Sequence, residues 1–159
     1  MLESIFIGAI IELSKIDDIN MTQNPIVLEQ SLTLTQKLVS FAKSNIGKPY
    51  GTAKAGPDSF DCSGFVFFVF KSFDMYIPRS SRLQSKSGVK IDREHIKIGD
   101  ILFFDTANRG HINHSGIYLG DGNFIHSSSG KAYSVTISNL DKGFYLDKFR
   151  WGVDKINSK

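Results

Sequence analysis

Two regimes of hydrophobic spacing divide the chain near residue 99. Before it, apolar positions recur at helical intervals; after it, they fall in short runs bounded by turn residues. Residues 1–30 read as a leader, with a short apolar helix over Ile5, Phe6, Ile7, Ala9, Ile10 and Ile11 and then a polar stretch turned by Asn24-Pro25. Leu34, Leu38, Phe41, Ala42 and Ile46 share one helical face. They predict a helix capped by Thr33 or Thr35, running to Asn45 and ended by Gly47. Residues 65–70 are all apolar and would suit a strand as well as a helix. A cap at Asp61 or Ser63 and Lys71 in the last turn favour a helix over 63–73, buried between layers. Pro78-Arg79-Ser80-Ser81 opens a short polar helix that ends at Ser87-Gly88. Strands are predicted over 100–105, 113–119, 123–127, 133–137 and 148–153, with Asp121-Gly122 as a tight hairpin turn between the second and third. Helices first and an antiparallel meander after them make the class α+β.

The bulk properties narrow the function without naming it. The length fits one domain, residues 31–159, behind the leader over 1–30. Nineteen Lys and Arg against sixteen Asp and Glu give a formal net charge of +3, scattered with no basic block. No nucleic acid partner is indicated, and an anionic polymer would not be repelled. A single cysteine excludes an internal disulfide. The apolar run near the N-terminus carries Glu3 where an export signal wants a cation, and Glu12 closes it. It is too short for stable membrane insertion. A packing helix is the preferred reading over a degenerate signal, so the route of export is left undefined.

That single cysteine, Cys62, stands where an irregular loop gives way to the apolar helix. A thiol at a helix start faces unpaired N–H groups and the positive end of the dipole, which favour thiolate. The plain alternative is a small buried hydrophobe. A catalytic thiol needs a base, a group orienting it, and oxyanion donors. Of four histidines, His95 lies in a charged linker and His111 in a loop, whereas His114 and His126 fall on strands joined by the predicted hairpin. Neighbouring strands would let His114 form an ion pair with Cys62 while His126 fixes its tautomer. Structural histidines, satisfied in the core, are the alternative. A metal site is the other reading of one Cys and several His, but the paired short spacings of zinc motifs are lacking, and no metal or cofactor is implied.

Five motifs stand in order: Phe60-Asp61-Cys62-Ser63-Gly64-Phe65-Val66, Pro78-Arg79-Ser80-Ser81, Ile98-Gly99-Asp100-Ile101-Leu102-Phe103-Phe104, His114-Ser115-Gly116-Ile117-Tyr118-Leu119-Gly120 and Phe124-Ile125-His126. The series, over about residues 34–153, resembles the NlpC/P60 family of papain-like cysteine peptidases of bacterial cell walls. The resemblance implies a fold in which the nucleophile starts a helix packed on an antiparallel sheet. It implies Cys62 as nucleophile, His114 as base, His126 as the residue orienting that base, and Tyr50 near the oxyanion. It places Asp61, Ser63, Arg79 and Ser80 along the substrate cleft, although Asp61 and Ser63 also suit helix caps and Tyr50 simple packing. Two departures stand out: Gly51-Thr52-Ala53-Lys54 replaces an aromatic followed by two glycines, and Ser115 replaces an apolar residue. The implied activity is hydrolysis of peptidoglycan stem peptides in the periplasm or wall, at the bond between γ-D-glutamate and the diamino acid. The alternatives are an N-acetylmuramoyl-L-alanine amidase or an acyltransferase on the same fold, or a catalytically dead wall-binding module. The weak N-terminal signal is also read as fitting a delivered antibacterial effector with an immunity protein as partner. A mis-started gene, with Met21 as a second start, would look the same.

Overall fold

The computed structural model describes residues 32–158. The expected leader over 1–30 lies outside the described residues. Helix α1, Leu34–Lys43, buries Leu38 and Ala42 and gives way to a turn that ends at Gly47, whose φ is +91°. Helix α2, Cys62–Lys71, begins one residue earlier than the spacing predicts, so the cysteine is its first residue. Asp61 is the cap, its side chain accepting from the Gly64 N–H. Helix α3 is the single turn Ser81–Gln84, capped by Ser80.

Five strands follow: β1 Ile101–Phe104, β2 His114–Gly120, β3 Asn123–Ser127, β4 Val135–Asn139 and β5 Phe149–Val153. They form one antiparallel sheet in the order β4-β3-β2-β1-β5. The hairpin between β2 and β3 pairs Gly120 with Asn123, with Asp121 and Gly122 at φ of 54° and 77° in the turn. Two positive values in a two-residue loop match the right-handed strand twist, which is why an Asp-Gly pair sits there.

Both faces of the sheet are covered, which accounts for the unbroken apolar run in β1. Ile101 and Phe103 join the core under α1 and α2, with Ile117, Ile125, Val135 and Val153. Leu102 and Phe104 point the other way, into a second cluster with Phe124, Leu140 and Phe149. Alternate side chains of a strand face opposite sides, so burying both sides removes the polar positions. Helix α2 is apolar nearly all round for the same reason. Phe65, Val66, Val69 and Phe70 are buried, while Phe68 meets α1 through Phe41 with ring centroids 5.6 Å apart.

Several edges shift from the sequence reading, and β4 and the segment after it show why. β4 starts two residues late because the chain before it is spent elsewhere: Ser134 pairs with Pro49, and the Tyr50 N–H donates to the Tyr133 carbonyl. A 3₁₀ turn at Gly143–Tyr145, which carries no apolar period to announce it, lies between β4 and β5.

Candidate active site

The start of α2 and the start of β2 meet at the sulfur. Backbone N–H groups of Ser115, Ser63 and Cys62 itself point at the thiol, and Sγ lies 3.8 Å from the Asn113 carbonyl oxygen. Those three donors favour the thiolate, but burial and the Asp61 charge outweigh them and push the Cys62 thiol up. Desolvation wins over the dipole at this site, and the resting group is a thiol.

The imidazoles lie on adjacent strands as the hairpin requires. His114 opens β2 and keeps 8% of its surface exposed, while His126 on β3 is fully buried. His114 Nε2 and His126 Nδ1 are 2.8 Å apart, and His126 Nε2 is 2.8 Å from Ser138 Oγ on β4. Three neighbouring strands thus carry one hydrogen-bonded chain. Gly116 makes room for it: a Cβ there would stand 3.0 Å from the Ile125 carbonyl and 3.2 Å from the His126 Cβ. Burial lowers His114 to about 4. Burial, and then His114 beside it, hold His126 well below the usual histidine range. Both rings are neutral at neutral pH, so the expected thiolate–imidazolium pair is not the resting state.

Beside the thiol, the Arg79 fork grips Asp61, with Nη2 to Oδ2 at 2.8 Å and Nη1 to Oδ1 at 3.0 Å. Nη1 also donates to Ser63 Oγ at 3.0 Å and Nη2 to the Lys54 carbonyl at 3.3 Å. The three residues form one polar cluster, but the fork expected to meet a substrate carboxylate is already held by a protein one. Ser80 is not part of that cluster; its hydroxyl caps α3 by accepting from the Leu83 N–H. Tyr50 pairs with Phe60, the residue before Asp61, and its ring packs 5.4 Å from that of Tyr133. Burial, then the nearby Cys62 and Asp61, raise its hydroxyl pKa, which puts the phenol within electrostatic range of the thiol. His95 pairs with Asp92 on the surface, and His111 lines a small cleft with Ile112, Arg150 and Trp151. Among the described residues no group of three or more His, Cys, Asp or Glu is placed to hold a metal ion.

Three contributors escape the sequence reading. Ser138 extends the imidazole chain, and a lone Ser on a strand gives no signal of that. Tyr145 stacks on His114 with ring centroids 6.1 Å apart and sits 5.3 Å from His126. Gln84 is fully buried and joins the two halves of the site. Its Oε1 accepts from Ser115 Oγ at 3.1 Å, and its Nε2 donates to the Ser63 carbonyl at 3.1 Å and the Pro78 carbonyl at 2.8 Å. The departure at Ser115 thus has a partner 31 residues away, and the polar run over 80–87 was the available clue.

A thiol starting a buried helix, laid on an antiparallel sheet whose nearest strands supply a chain of imidazoles, defines a papain-like domain. The sequence profile of the NlpC/P60 family matches residues 47–153. The chain belongs to that family of cell-wall peptidases. It is 39% identical over 113 residues to a gamma-D-glutamyl-L-lysine dipeptidyl-peptidase of Bacillus cereus, covering 70% of this chain and 34% of that protein. It is 33% identical over 130 residues to the probable endopeptidase NlpC of Escherichia coli, covering 81% of this chain and 82% of that one. A solved NlpC/P60 family structure from Bacillus cereus superposes with a TM-score of 0.73 at 35% identity, over 78% of this chain and 41% of that one. The chain spans about a third of the length of the Bacillus dipeptidyl-peptidase it matches.

Proposed function

We propose that the domain is a cysteine endopeptidase of peptidoglycan stem peptides, acting in the periplasm or wall on the amide between γ-D-glutamate and the diamino acid. The observation that supports it is that the Cys62 sulfur lies 3.8 Å from the Asn113 carbonyl, and the next residue, His114, begins the His114–His126–Ser138 chain. The relatives' names support the choice of substrate.

The tautomers follow from the task. For Nδ1 of His114 to accept a proton, Nε2 must carry one and donate it to His126 Nδ1. His126 then holds its own proton on Nε2 and donates to Ser138 Oγ, so the whole chain is fixed in one direction. Because thiol and imidazole are both neutral at rest, the proton passes from Sγ to His114 Nδ1 as the sulfur attacks the carbonyl carbon. The Cys62 N–H and the Tyr50 hydroxyl are the donors this reading assigns to the developing oxyanion. His114 returns the proton to the departing amine nitrogen as the C–N bond breaks, leaving a thioester. A water, deprotonated by the same nitrogen, hydrolyses the thioester and releases the sulfur. Asp61, Ser63 and Arg79 then form the wall that holds the acyl fragment.

Digestion of purified sacculi, with mass spectrometry of the released muropeptides, tests this. Products split after γ-D-glutamate, and none from Cys62→Ala, are expected. Free stem peptides beginning at L-alanine would assign an amidase, and transfer of the acyl group to an added amine an acyltransferase. No product from the wild type would leave a binding module.

A further inference from the structure

We propose that a cationic groove between the end of α3, the loop before β2 and the start of β5 binds a linear phosphodiester polymer, a polyol phosphate chain threaded through the wall. The groove has two lobes that share His111, Ile112 and Trp151. One, about 120 Å³, lies against Asp105 and Arg150; the other, about 150 Å³, lies against Arg82 and Lys86. Neither Cys62 nor His114 lines either lobe. Ile112 adjoins Asn113, whose carbonyl is the neighbour of the sulfur, so a bound chain would pass beside the reactive centre without entering it.

The cations there are open to a ligand. Arg82, Lys86, Lys90 and Arg150 are all exposed, and none of them pairs with a carboxylate among the described residues. Arg150 is steadied by the Asp147 and Phe149 carbonyls and by Asn108 Oδ1. Asp105 is the one acid among the described residues that line either lobe. It is 2% exposed, and its oxygens accept from the Arg109 and Gly110 N–H groups at 3.1 and 2.8 Å, so it turns almost no surface toward a ligand. The cations stand apart on an open surface with no enclosed set of donors, so a single small anion gains little from any one of them. A chain with an anion at every repeat meets several at once and releases the counterions condensed along it. A phosphodiester stays ionised at any working pH, and its two free oxygens suit a guanidinium fork. The concave shape fits a chain better than a flat lipid surface. A chain bearing bases finds no stacking platform: Lys90 Nζ stands 3.8 Å from the centre of the Trp151 ring, and the indole N–H is given to the Ser85 carbonyl.

Trp151 is the only tryptophan in the chain, so its fluorescence reports on the groove directly. Titration with poly(glycerol phosphate) at low salt should change that fluorescence saturably. The dissociation constant should rise about fourfold for each doubling of salt, the slope for about three phosphates neutralised on a flexible chain. Arg82→Gln/Lys86→Gln should weaken binding about tenfold, two exposed charge contacts being lost, and should flatten the salt dependence. Lys43→Gln/Lys71→Gln, the same loss of charge in the last turns of α1 and α2, should bind as wild type does. No saturable change, or equal weakening in the two double variants, overturns the proposal. An equal response to inorganic phosphate at matched phosphate concentration overturns it too, by showing a small-anion pocket. Tighter binding of phosphatidylglycerol vesicles or of oligothymidylate would make the partner a membrane or a nucleic acid and overturn it likewise. The titration reads binding alone, so its failure leaves the endopeptidase reading standing, and a failed sacculus digestion leaves the groove standing.

Discussion

At Cys62 the helix start and three N–H donors pull the thiol toward ionisation, while burial and Asp61 push harder the other way. The resting neutral pair has a measurable signature. Alkylation of Cys62 by iodoacetamide should rise only through the alkaline range, with a midpoint above that of a free thiol. A plateau already reached below pH 7 would show a standing ion pair instead. Cys62→Ala should lose all hydrolysis, since no second thiol exists to replace it. His114→Ala should cost about 10²–10⁴-fold, the usual range for a lost acid–base group. His126→Ala should cost less, because it removes orientation and leaves the proton carrier. His111→Ala and His95→Ala, assayed alongside on the same wall fragments, should be near wild type; equal damage from His111→Ala would move the base to another loop. These residues were legible because thiols and imidazoles are scarce and chemically distinctive. Ser138 and Tyr145 were not, since serine and tyrosine serve too many ends for position alone to mark them.

The elements were legible wherever a period ran long enough, and their edges moved where the chain found other partners. β4 lost Tyr133 and Ser134 to the segment holding Pro49 and Tyr50, a pairing between residues more than eighty apart that no local pattern carries. The same holds for the link between α2, α3 and β2. Gln84 ties the Ser63 carbonyl on α2 to the Ser115 hydroxyl on β2, so it sets how the helix start sits over that strand. Ser115→Val, the same shape as the Ser115→Thr control, would leave the buried Gln84 Oε1 without that donor, at a cost of about 1–3 kcal/mol relative to that control. Urea denaturation should show that loss, and Cys62 alkylation at fixed pH should change with it. Ser115→Thr, which keeps the hydroxyl, should restore most of both. Unchanged stability in Ser115→Val would mean that another donor takes the serine's place.

For the molecule as a whole, the two buried imidazoles tie stability to pH. His114 falls from an ordinary 6.5 to about 4 in the fold. Between those values the unfolded chain binds the extra proton, so unfolding becomes easier as the pH drops through that window. The loss from His114 approaches about 3 kcal/mol near pH 4, and His126 adds to it in the same direction. Denaturation midpoints of Cys62→Ala at pH 7 and pH 4.5 should differ accordingly, and by less in a His114→Asn/His126→Asn variant. A flat profile would mean that the rings protonate freely in the fold. Cellular location sets a second outcome at this scale. Cytoplasmic expression should be tolerated, since the proposed substrate lies across the membrane. A fused export signal should make the protein lytic to a Gram-negative host, and Cys62→Ala should abolish lysis. Lysis by the Cys62→Ala protein would point away from wall hydrolysis.

The imidazole chain runs through β2, β3 and β4, consecutive strands in which His114, His126 and Ser138 fall within 25 residues. Cys62 lies 51 residues before Asn113, the neighbour of its sulfur. Contacts close in sequence form early, and distant ones carry the larger loop-closure cost. The base half can therefore assemble as a local meander, whereas the sulfur reaches it only when α2 docks on the sheet. Reactivity thus depends on a contact between segments distant in the chain. A nascent or partly unfolded molecule holds an ordinary exposed thiol far from the imidazoles, and the proposed chemistry requires the finished tertiary structure.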